Sequence, residues 1–283
     1  MADEIGVIGL GTMGSGIAHS SLQAGYRVIL VGRDRESADE GLRRLGDSLG
    51  KAVKKGVLTE AQKSEFLGRA VASGSMESIA SCSIVIEAVP EELELKGKVL
   101  KGMENFSAKG AVLATNTSSI PIGRLSEFLG DPSRFIGLHF FNPVPAMKPV
   151  EVVVGKKTSA ATVEKSAEFI KRLQKVPIMV NDSPGFISNR ILMPFINEAA
   201  KALQEGVADK EAIDSIAKLG FNHPMGPLEL ADFIGLDVCV DIMYAIYKER
   251  PEERFKPAAI LERLVADRKT GKKSGSGFYS YNK

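Results

Sequence analysis

Long apolar runs are missing from this chain of 283 residues. No stretch approaches the roughly 20 consecutive apolar residues that a membrane-spanning helix needs, so no membrane partner is expected. The first residues include two acids and lead straight into an apolar strand pattern, which is unlike a secretory or transit peptide. We therefore expect a cytoplasmic protein.

Cysteine and clustered charge are also scarce. Cys82 and Cys239 lie far apart in the sequence, and a role as small core residues fits them better than a disulfide, catalysis or a metal site. The net charge is only +2, whereas a nucleic-acid partner needs clustered Lys and Arg, so none is expected. His223 has no second metal ligand at helical or turn spacing. No metal is expected either.

What the chain does have is the composition of an ordinary globular protein, with 44% hydrophobic and 25% charged residues. Its first half alternates short β-rich runs with helical ones, and several runs are continuously apolar, as in strands covered on both faces. This pattern predicts an α/β fold with a doubly wound, mostly parallel sheet of the Rossmann type. The predicted strands are residues 5–9, 27–31, 83–89, 111–115, 135–139, 149–154 and 176–180.

The second half changes character after Asp182-Ser183-Pro184-Gly185, a strong breaker of regular structure. Beyond it the patterns are helical, over residues 186–205, 210–219, 228–248 and 257–267. We therefore predict a dinucleotide-binding domain over residues 1–184 and an all-helical domain, for substrate and dimerisation, over residues 185–283. The apolar content of the second domain exceeds what so small a unit needs, which predicts a homodimer.

A glycine-rich turn lies between the first predicted strand and the first helix. In Gly9-Leu10-Gly11-Thr12-Met13-Gly14, the first glycine permits a tight turn, the second leaves room for a pyrophosphate, and the third lets helix and strand pack closely. The helix N-terminus adds unpaired N–H groups and a favourable dipole. In this context the motif predicts dinucleotide binding, and the alternative is a tight turn that binds nothing.

The residues after the second strand bear on the choice of cofactor. An NAD enzyme usually carries an acid about 20 residues past the glycines, where it accepts from the ribose 2′-hydroxyl. Here Gly32 occupies that position and Arg33 follows it. A guanidinium matches phosphate oxygens, so the pair favours NADP slightly over NAD. The alternative is that Asp34 serves the ribose and Arg33 is solvated.

Three polar segments stand where strands end or pair. Residues 115–119 read TNTSS directly after an apolar strand, which is where such folds place ligands. His139 ends a predicted strand, and Glu151 is the single carboxylate in an otherwise apolar one. A buried Glu is costly unless paired, and the twelve residues between the two allow a turn and a return strand. Such a pair would supply a general base that titrates near neutrality.

With these segments the chain resembles the short-chain L-3-hydroxyacyl-CoA dehydrogenases, most closely the bacterial 3-hydroxybutyryl-CoA dehydrogenases. The resemblance covers essentially the whole chain through the ordered segments GLGTMG, IEAVPEELELK, ATNTSSI, IGLHFFNPVPAMKPVE, DSPGFISNRIL, NHPMGPLEL and GKKSGSGFY. It implies interconversion of (S)-3-hydroxyacyl-CoA and 3-oxoacyl-CoA by hydride transfer with a nicotinamide cofactor, in fatty acid and butanoate metabolism.

The resemblance also implies roles by position. His139 matches the catalytic base and Glu151 the carboxylate that orients it. Ser118 and Asn189 match substrate contacts that fix the reacting oxygen. The remaining matches are cofactor contacts at Glu91, Lys96, Asn142 and Lys273, and coenzyme A contacts at Ser48 and Lys55. The glycine turn, Ser118, Gly32 and Arg33 complete the predicted cofactor set, but Gly32-Arg33 departs from the family's pattern, since many relatives have Asp there. One local basic cluster comprises Lys51, Lys54 and Lys55, after Arg43 and Arg44. On composition alone such a cluster is a solvated helix face, and the matches at Ser48 and Lys55 favour coenzyme A binding instead.

Three alternatives stay open at this point. The substrate could be a longer or dicarboxylic acyl-CoA. It could be a free 3-hydroxy acid, since a basic helix is modest evidence for coenzyme A. A non-catalytic binding protein that retains the fold is a third possibility, although the intact set of Ser118, His139, Glu151 and Asn189 argues against it.

Overall fold

The computed structural model describes residues 3–281. Its contacts divide into two compact units, one ending at Ser183 and the other beginning at Pro184. In this described part of the chain, no helix is long and apolar enough to cross a membrane. Across residues 3–281, no group of three or more His, Cys, Asp or Glu side chains is placed to hold a metal ion.

The first unit is built on one eight-stranded sheet with the strand order β3-β2-β1-β4-β5-β6-β7-β8. Neighbouring strands are parallel except for β6 and β7, which run antiparallel. This confirms the predicted doubly wound, mostly parallel sheet. The strands are β1 Glu4–Ile8, β2 Arg27–Val31, β3 Ala70–Ser73, β4 Ile84–Glu87, β5 Val112–Thr115, β6 Phe135–Phe140, β7 Pro149–Val154 and β8 Val176–Asn181.

Helices connect these strands. They are α1 Thr12–Gln23, α2 Arg35–Lys54, α3 Glu60–Gly68, α4 Leu93–Phe106, α5 Ile122–Ser126 and α6 Ala160–Arg172, with short 3-10 helices at Met76–Ile79 and Pro132–Arg134. Helix α3 begins after Thr59, whose side chain accepts from the Gln62 N–H in a capping box. Strand β3 was missed by the sequence analysis, because a run of four small residues carries little strand signal.

The sheet register brings polar side chains to one edge. Ile8 at the end of β1 pairs with Glu87 on β4, and Glu87 in turn pairs with Thr115 on β5. His139 lies near the end of β6, and Glu151 lies directly opposite it on β7. Strands β4, β5 and β6 are otherwise buried and apolar. The carboxyl ends of the central strands therefore collect the chemistry-bearing residues at one edge.

The second unit is helical, as predicted. It comprises α7 Ser188–Gln204, α8 Lys210–Leu219, α9 Pro227–Ile234, α10 Leu236–Glu249 and α11 Ala259–Ala266, with 3-10 helices at Glu253–Phe255 and Lys272–Ser274. The single helix predicted over residues 228–248 was wrong, because Gly235 has a φ of +109° and breaks it into α9 and α10. Buried side chains on α7, α9, α10 and α11, among them Ile196, Leu228, Met243 and Leu261, form its core.

A buried carboxylate ties the C-terminal segment to this unit. Asp232 accepts from the backbone N–H groups of Phe278 and Tyr279, both at 2.9 Å, and from the Tyr281 hydroxyl at 3.1 Å. A Cβ atom at Gly277 would lie 1.9 Å from Oδ1 of Asp232. The GSGFY portion of the C-terminal motif is therefore explained by the packing of this segment on Asp232.

Candidate active site

The glycines of the turn at the end of β1 are required for two different reasons. Gly9 has a φ of +87°, and a Cβ there would lie 2.8 Å from the backbone of Ala88 and Val89. A Cβ at Gly14 would lie 1.9 Å from the Gly9 carbonyl oxygen. A Cβ at Gly11, in contrast, would meet nothing within 4 Å. The fold itself requires Gly9 and Gly14, whereas the space above Gly11 is open, as a bound pyrophosphate requires.

The same turn opens into a cavity of about 620 Å³. Gly11 is the N-cap of α1, and no side chain caps that helix end. Uncapped N–H groups and the helix dipole favour a negatively charged ligand at this position. Lining residues include Leu10 and Gly11 from the turn, Gly32 and Arg33 from the loop after β2, and Arg44 from α2. Part of the predicted cofactor set, namely the start of the glycine turn with Gly32 and Arg33, therefore borders one cavity.

The conformation of the loop after β2 determines which of its residues, among Gly32, Arg33 and Asp34, can contact a ligand. Asp34 is the N-cap of α2: its carboxylate accepts from the Ser37 N–H at 2.7 Å, and the Ser37 hydroxyl contacts the Asp34 backbone in return. These hydrogen bonds lower the pKa of Asp34. The Arg33 side chain is 88% exposed, with Nε 3.4 Å from the Asp34 carboxylate. The Asp34 carboxylate is therefore engaged in capping its own helix, while the Arg33 guanidinium extends into solvent beside the cavity.

A buried charge network stands at the end of β4. Lys96 on α4 is 1% exposed, and its Nζ donates to both carboxylate oxygens of Glu87 at 3.0 Å and to the Val89 carbonyl at 3.1 Å. Glu87, at 0% exposure, also accepts from the Thr115 hydroxyl and, at 3.1 Å, from the Val89 N–H. The predicted cofactor residue Lys96 therefore uses its three N–H groups on protein acceptors.

Glu91 extends this network to the turn that carries Ser118. One oxygen of Glu91 accepts from the Thr117 hydroxyl at 2.6 Å and from the backbone N–H groups of Ser118 and Ser119 at 2.9 Å. The other lies 3.4 Å from Nζ of Lys96. Burial opposes ionisation of Glu91, but the Lys96 ammonium and these hydrogen bonds outweigh it and lower its pKa. Glu91 is an ionised carboxylate that organises the turn beneath Ser118.

His139 and Glu151 form the buried pair expected from the sequence. Nδ1 of His139 lies 2.6 Å from Oε2 of Glu151, with the two residues 7% and 2% exposed. A carboxylate can only accept, so this contact puts a proton on Nδ1 and the imidazole lone pair on Nε2. The end of β6 is held in place next to His139, because the Phe140 N–H donates to the Asn116 side chain at 2.9 Å. The imidazole is therefore fixed in both position and tautomer.

A second cavity, of about 450 Å³, gathers residues that the sequence analysis assigned to two different ligands. It is lined by Gly11 and Thr12 from the glycine turn, by Asn142 after β6, and by Ser48 and Lys51 on α2. Asn142, a predicted cofactor contact, and Ser48, a predicted coenzyme A contact, therefore border one space. Lys55, the other predicted coenzyme A contact, is exposed at the C-cap of α2.

Two predicted site residues belong to the second unit. Asn189 is buried in the first turn of α7. Lys273 lies in the 3-10 helix near the C-terminus, and its Nζ is 2.6 Å from the Asp237 carboxylate at the start of α10. Their predicted contacts with substrate and cofactor stay predictions.

Comparison with known proteins decides the family. A family model described as 3-hydroxyacyl-CoA dehydrogenase, NAD binding domain, matches residues 4–183, and the C-terminal domain model of the same family matches residues 185–281. The chain belongs to the 3-hydroxyacyl-CoA dehydrogenase family. The resemblance seen in the sequence is thereby confirmed, and this member uses a nicotinamide cofactor.

Individual members of the 3-hydroxyacyl-CoA dehydrogenase family are similar to this chain over nearly their full length. A probable 3-hydroxybutyryl-CoA dehydrogenase from Deinococcus radiodurans is 45% identical over 98% of this chain and 100% of the relative. A 3-hydroxybutyryl-CoA dehydrogenase from Bradyrhizobium diazoefficiens is 43% identical over 98% and 95%. The crystal structure of (S)-3-hydroxybutyryl-CoA dehydrogenase from Ralstonia eutropha has a TM-score of 0.95 at 42% identity and covers 100% of both chains.

Two residues near the site of this dehydrogenase were missed in the sequence. Glu87 is the last residue of an apolar strand, and a buried acid at such a position indicates a buried cation as its partner. That cation is Lys96, nine residues later in the sequence. His19 is not among the predicted site residues, yet its Nδ1 lies 3.4 Å from the Ser48 hydroxyl. Burial and the nearby Lys175 ammonium lower the pKa of His19. A neutral His19 can therefore orient Ser48.

Substitution can distinguish the glycine that leaves room for the cofactor from the glycines that the fold itself requires. Gly11→Ala should leave the free energy of unfolding within about 1 kcal/mol of wild type, since its Cβ meets open space. It should nevertheless weaken cofactor binding by about tenfold or more, equivalent to ~1.4 kcal/mol, because the methyl group occupies the pyrophosphate position.

Gly14→Ala is the matched control, since its Cβ overlaps the Gly9 carbonyl and should cost about 3 kcal/mol or more of stability. Chemical denaturation and calorimetric titration with the cofactor measure both effects. If Gly11→Ala binds the cofactor as tightly as wild type, the pyrophosphate does not lie over Gly11.

Proposed function

We propose that the protein interconverts (S)-3-hydroxybutyryl-CoA and acetoacetyl-CoA. The observation that carries the proposal is the buried His139–Glu151 pair, 2.6 Å apart, at the same sheet edge as the glycine turn and the Ser118 turn. The names of the relatives from Deinococcus, Bradyrhizobium and Ralstonia support the four-carbon substrate.

In this proposal His139 is the general acid and base. A bound nicotinamide ring supplies the acceptor or donor of the hydride at carbon 3 of the substrate. In oxidation, Nε2 of His139 removes the proton from the hydroxyl group at that carbon, and in reduction the imidazolium returns it to the forming alkoxide. Positioning a base in this way contributes about 10²–10⁴-fold to the rate of such reactions.

Glu151 makes His139 effective in two ways. Its carboxylate accepts the Nδ1 proton, which keeps the lone pair on Nε2 where the substrate hydroxyl is deprotonated. It also offsets the positive charge that the ring acquires, and the low exposure of both groups strengthens that interaction. The arrangement follows the logic by which a carboxylate orients the histidine of a catalytic triad.

The remaining substrate and coenzyme A contacts are proposed by position. Ser118 and Asn189 would hold the reacting oxygen, with the Ser118 turn supported from beneath by Glu91. Ser48, held by His19, and Lys55 would contact coenzyme A. The first unit would carry the cofactor, and the second would serve substrate binding and dimerisation.

Substitution of the pair tests this assignment. His139→Gln should lower kcat with acetoacetyl-CoA by about 10²–10⁴-fold while cofactor binding stays near wild type, because the base is lost and the cavity is intact. Glu151→Gln should lower kcat by a similar factor, since an amide no longer enforces the Nδ1–H tautomer.

Glu164→Gln, on the exposed face of α6, is the control and should have wild-type kinetics. Steady-state assays with acetoacetyl-CoA and with free acetoacetate measure kcat and KM. Turnover of His139→Gln within about threefold of wild type would remove His139 as the base, and faster turnover of the free acid would remove the coenzyme A ester as the substrate.

We further propose that NADPH is used at least as well as NADH. Gly32 lacks the acid that would repel a 2′-phosphate, and a Cβ there would lie 2.4 Å from the Ala38 backbone nitrogen. Asp34 is committed to its cap, which argues against the alternative in which it serves the ribose. The exposed Arg33 guanidinium, beside the cavity, can donate charge-assisted hydrogen bonds to a phosphate.

Arg33→Gln therefore tests the preference cleanly, whereas Gly32→Asp would disturb the helix cap. Hydrogen bonds to charged groups contribute about 1.5–3 kcal/mol, and solvent screening at this exposed site reduces that figure. The variant should lose about 3- to 30-fold in kcat/KM for NADPH, with kcat/KM for NADH changed little.

Arg35→Gln is the matched control, because Arg35 is the first residue of α2 and is paired with Asp39. Both variants are assayed with both cofactors at one low ionic strength, because salt screens the effect. A wild-type kcat/KM for NADH well above that for NADPH would contradict the proposal.

A homodimer is proposed through the second unit. Ile216, Leu219, Phe221 and Phe233 on and beside α8 and α9 are all more than half exposed. So many large exposed apolar side chains in one small unit indicate a surface that another chain covers. The cytoplasmic location expected from the sequence stays a prediction.

A further inference from the structure

The network at the end of β4 carries two carboxylates and one ammonium. Lys96 lies 3.0 Å from both oxygens of Glu87 but 3.4 Å from Glu91, and it donates its third hydrogen bond to the Val89 carbonyl. Lys96 is the one cation within 4.0 Å of either carboxylate in residues 3–281. Glu87 thus neutralises Lys96, and the charge of Glu91 is left without a full counter-charge.

Under the proposed function, this surplus charge lies at the sheet edge where the cofactor binds. Strand β4 stands between β1, which ends at the glycine turn, and β5, which ends at the Ser118 turn. His139 lies on the strand after β5, which places it two strand spacings, or roughly 10 Å, from the strand of Glu87. Both members of the buried ion pair are at most 1% exposed, whereas the Glu91 side chain, which carries the surplus charge, is 37% exposed, so solvent screens that charge in part.

The two redox forms of the cofactor differ in charge at the nicotinamide ring, which is cationic when oxidised and neutral when reduced. A net negative charge near the ring position binds the oxidised form more tightly than the reduced form. We propose that Glu87, by neutralising Lys96, sets the relative affinity of the enzyme for oxidised and reduced cofactor. This inference rests on the proposed function, which brings the ring to the sheet edge beside His139.

A purely structural role for Glu87 predicts a different result. If Glu87 only holds α4 against β4 and β5, its loss weakens the binding of both redox forms by the same factor. The ratio of the two dissociation constants therefore separates charge from structure, and it is read without any turnover.

The experiment measures that ratio by calorimetric titration of the full-length enzyme with the oxidised and the reduced form of its preferred cofactor. Glu87→Gln leaves Lys96 and Glu91 as a neutral pair. The dissociation constant of the oxidised cofactor, divided by that of the reduced cofactor, should rise by a factor of about 2 to 15. This factor corresponds to the loss of one unit charge at roughly 10 Å from the ring, with an effective dielectric constant of about 20 to 80. The double variant Glu87→Gln/Lys96→Met leaves Glu91 alone and restores the net charge of −1, so the ratio should return to the wild-type value.

Glu91→Gln gives a second route should Glu87→Gln not fold, because it neutralises the same network from its partly exposed end. The ratio should rise there too, whatever the variant loses in overall affinity for both forms. An unchanged ratio in the neutral variants, or a double variant that keeps the altered ratio, overturns the role of Glu87. A wild-type enzyme that binds neither redox form contradicts the proposed function itself.

Discussion

The hydrogen bond between Nδ1 of His139 and Oε2 of Glu151 depends on one strand register. The two residues face each other across the antiparallel pair β6 and β7, and a slip of one residue would turn Glu151 to the opposite face of the sheet. Their neighbours Leu138, Phe140, Val150 and Val152 are buried and apolar, so such a slip would also bury a charge without its partner. The packing that stabilises the sheet therefore also selects the geometry of the acid–base pair.

The other candidate site residues depend on that sheet in the same way. The central strands end at one edge, and each contributes one kind of group there: backbone N–H groups after β1, buried charge after β4, hydroxyls and an amide after β5. These groups are held by hydrogen bonds within the protein before any ligand is bound. Asn116 fixes the end of β6, and Glu91 fixes the turn at Ser118. Preorganised groups of this kind need little rearrangement when charge develops during the reaction.

Much of this arrangement could be predicted from the sequence, because it depends on local patterns. Apolar runs located the central strands, the glycine motif located the turn, and an acid in an apolar strand pointed to His139 as its partner. What the sequence analysis missed depends on the exact limits of individual helices. The break at Gly235, the pairing of Glu87 with Lys96, and the capping role of Asp34 each require knowing where a helix begins or ends. Asp34 and Ser37 had the spacing of a cap, but the dinucleotide pattern suggested a ligand instead.

The tautomer of His139 tests the central claim most directly. Nitrogen-15 NMR of histidine-labelled protein, with His139 assigned by the loss of its signals in His139→Gln, distinguishes the protonated ring nitrogen from the one with the lone pair. The chain has only three histidines, so assignment is tractable. The account predicts that neutral His139 carries its proton on Nδ1, held by Glu151, with the lone pair on Nε2. A proton on Nε2 of the neutral ring would contradict it, because Glu151 would then not orient the base.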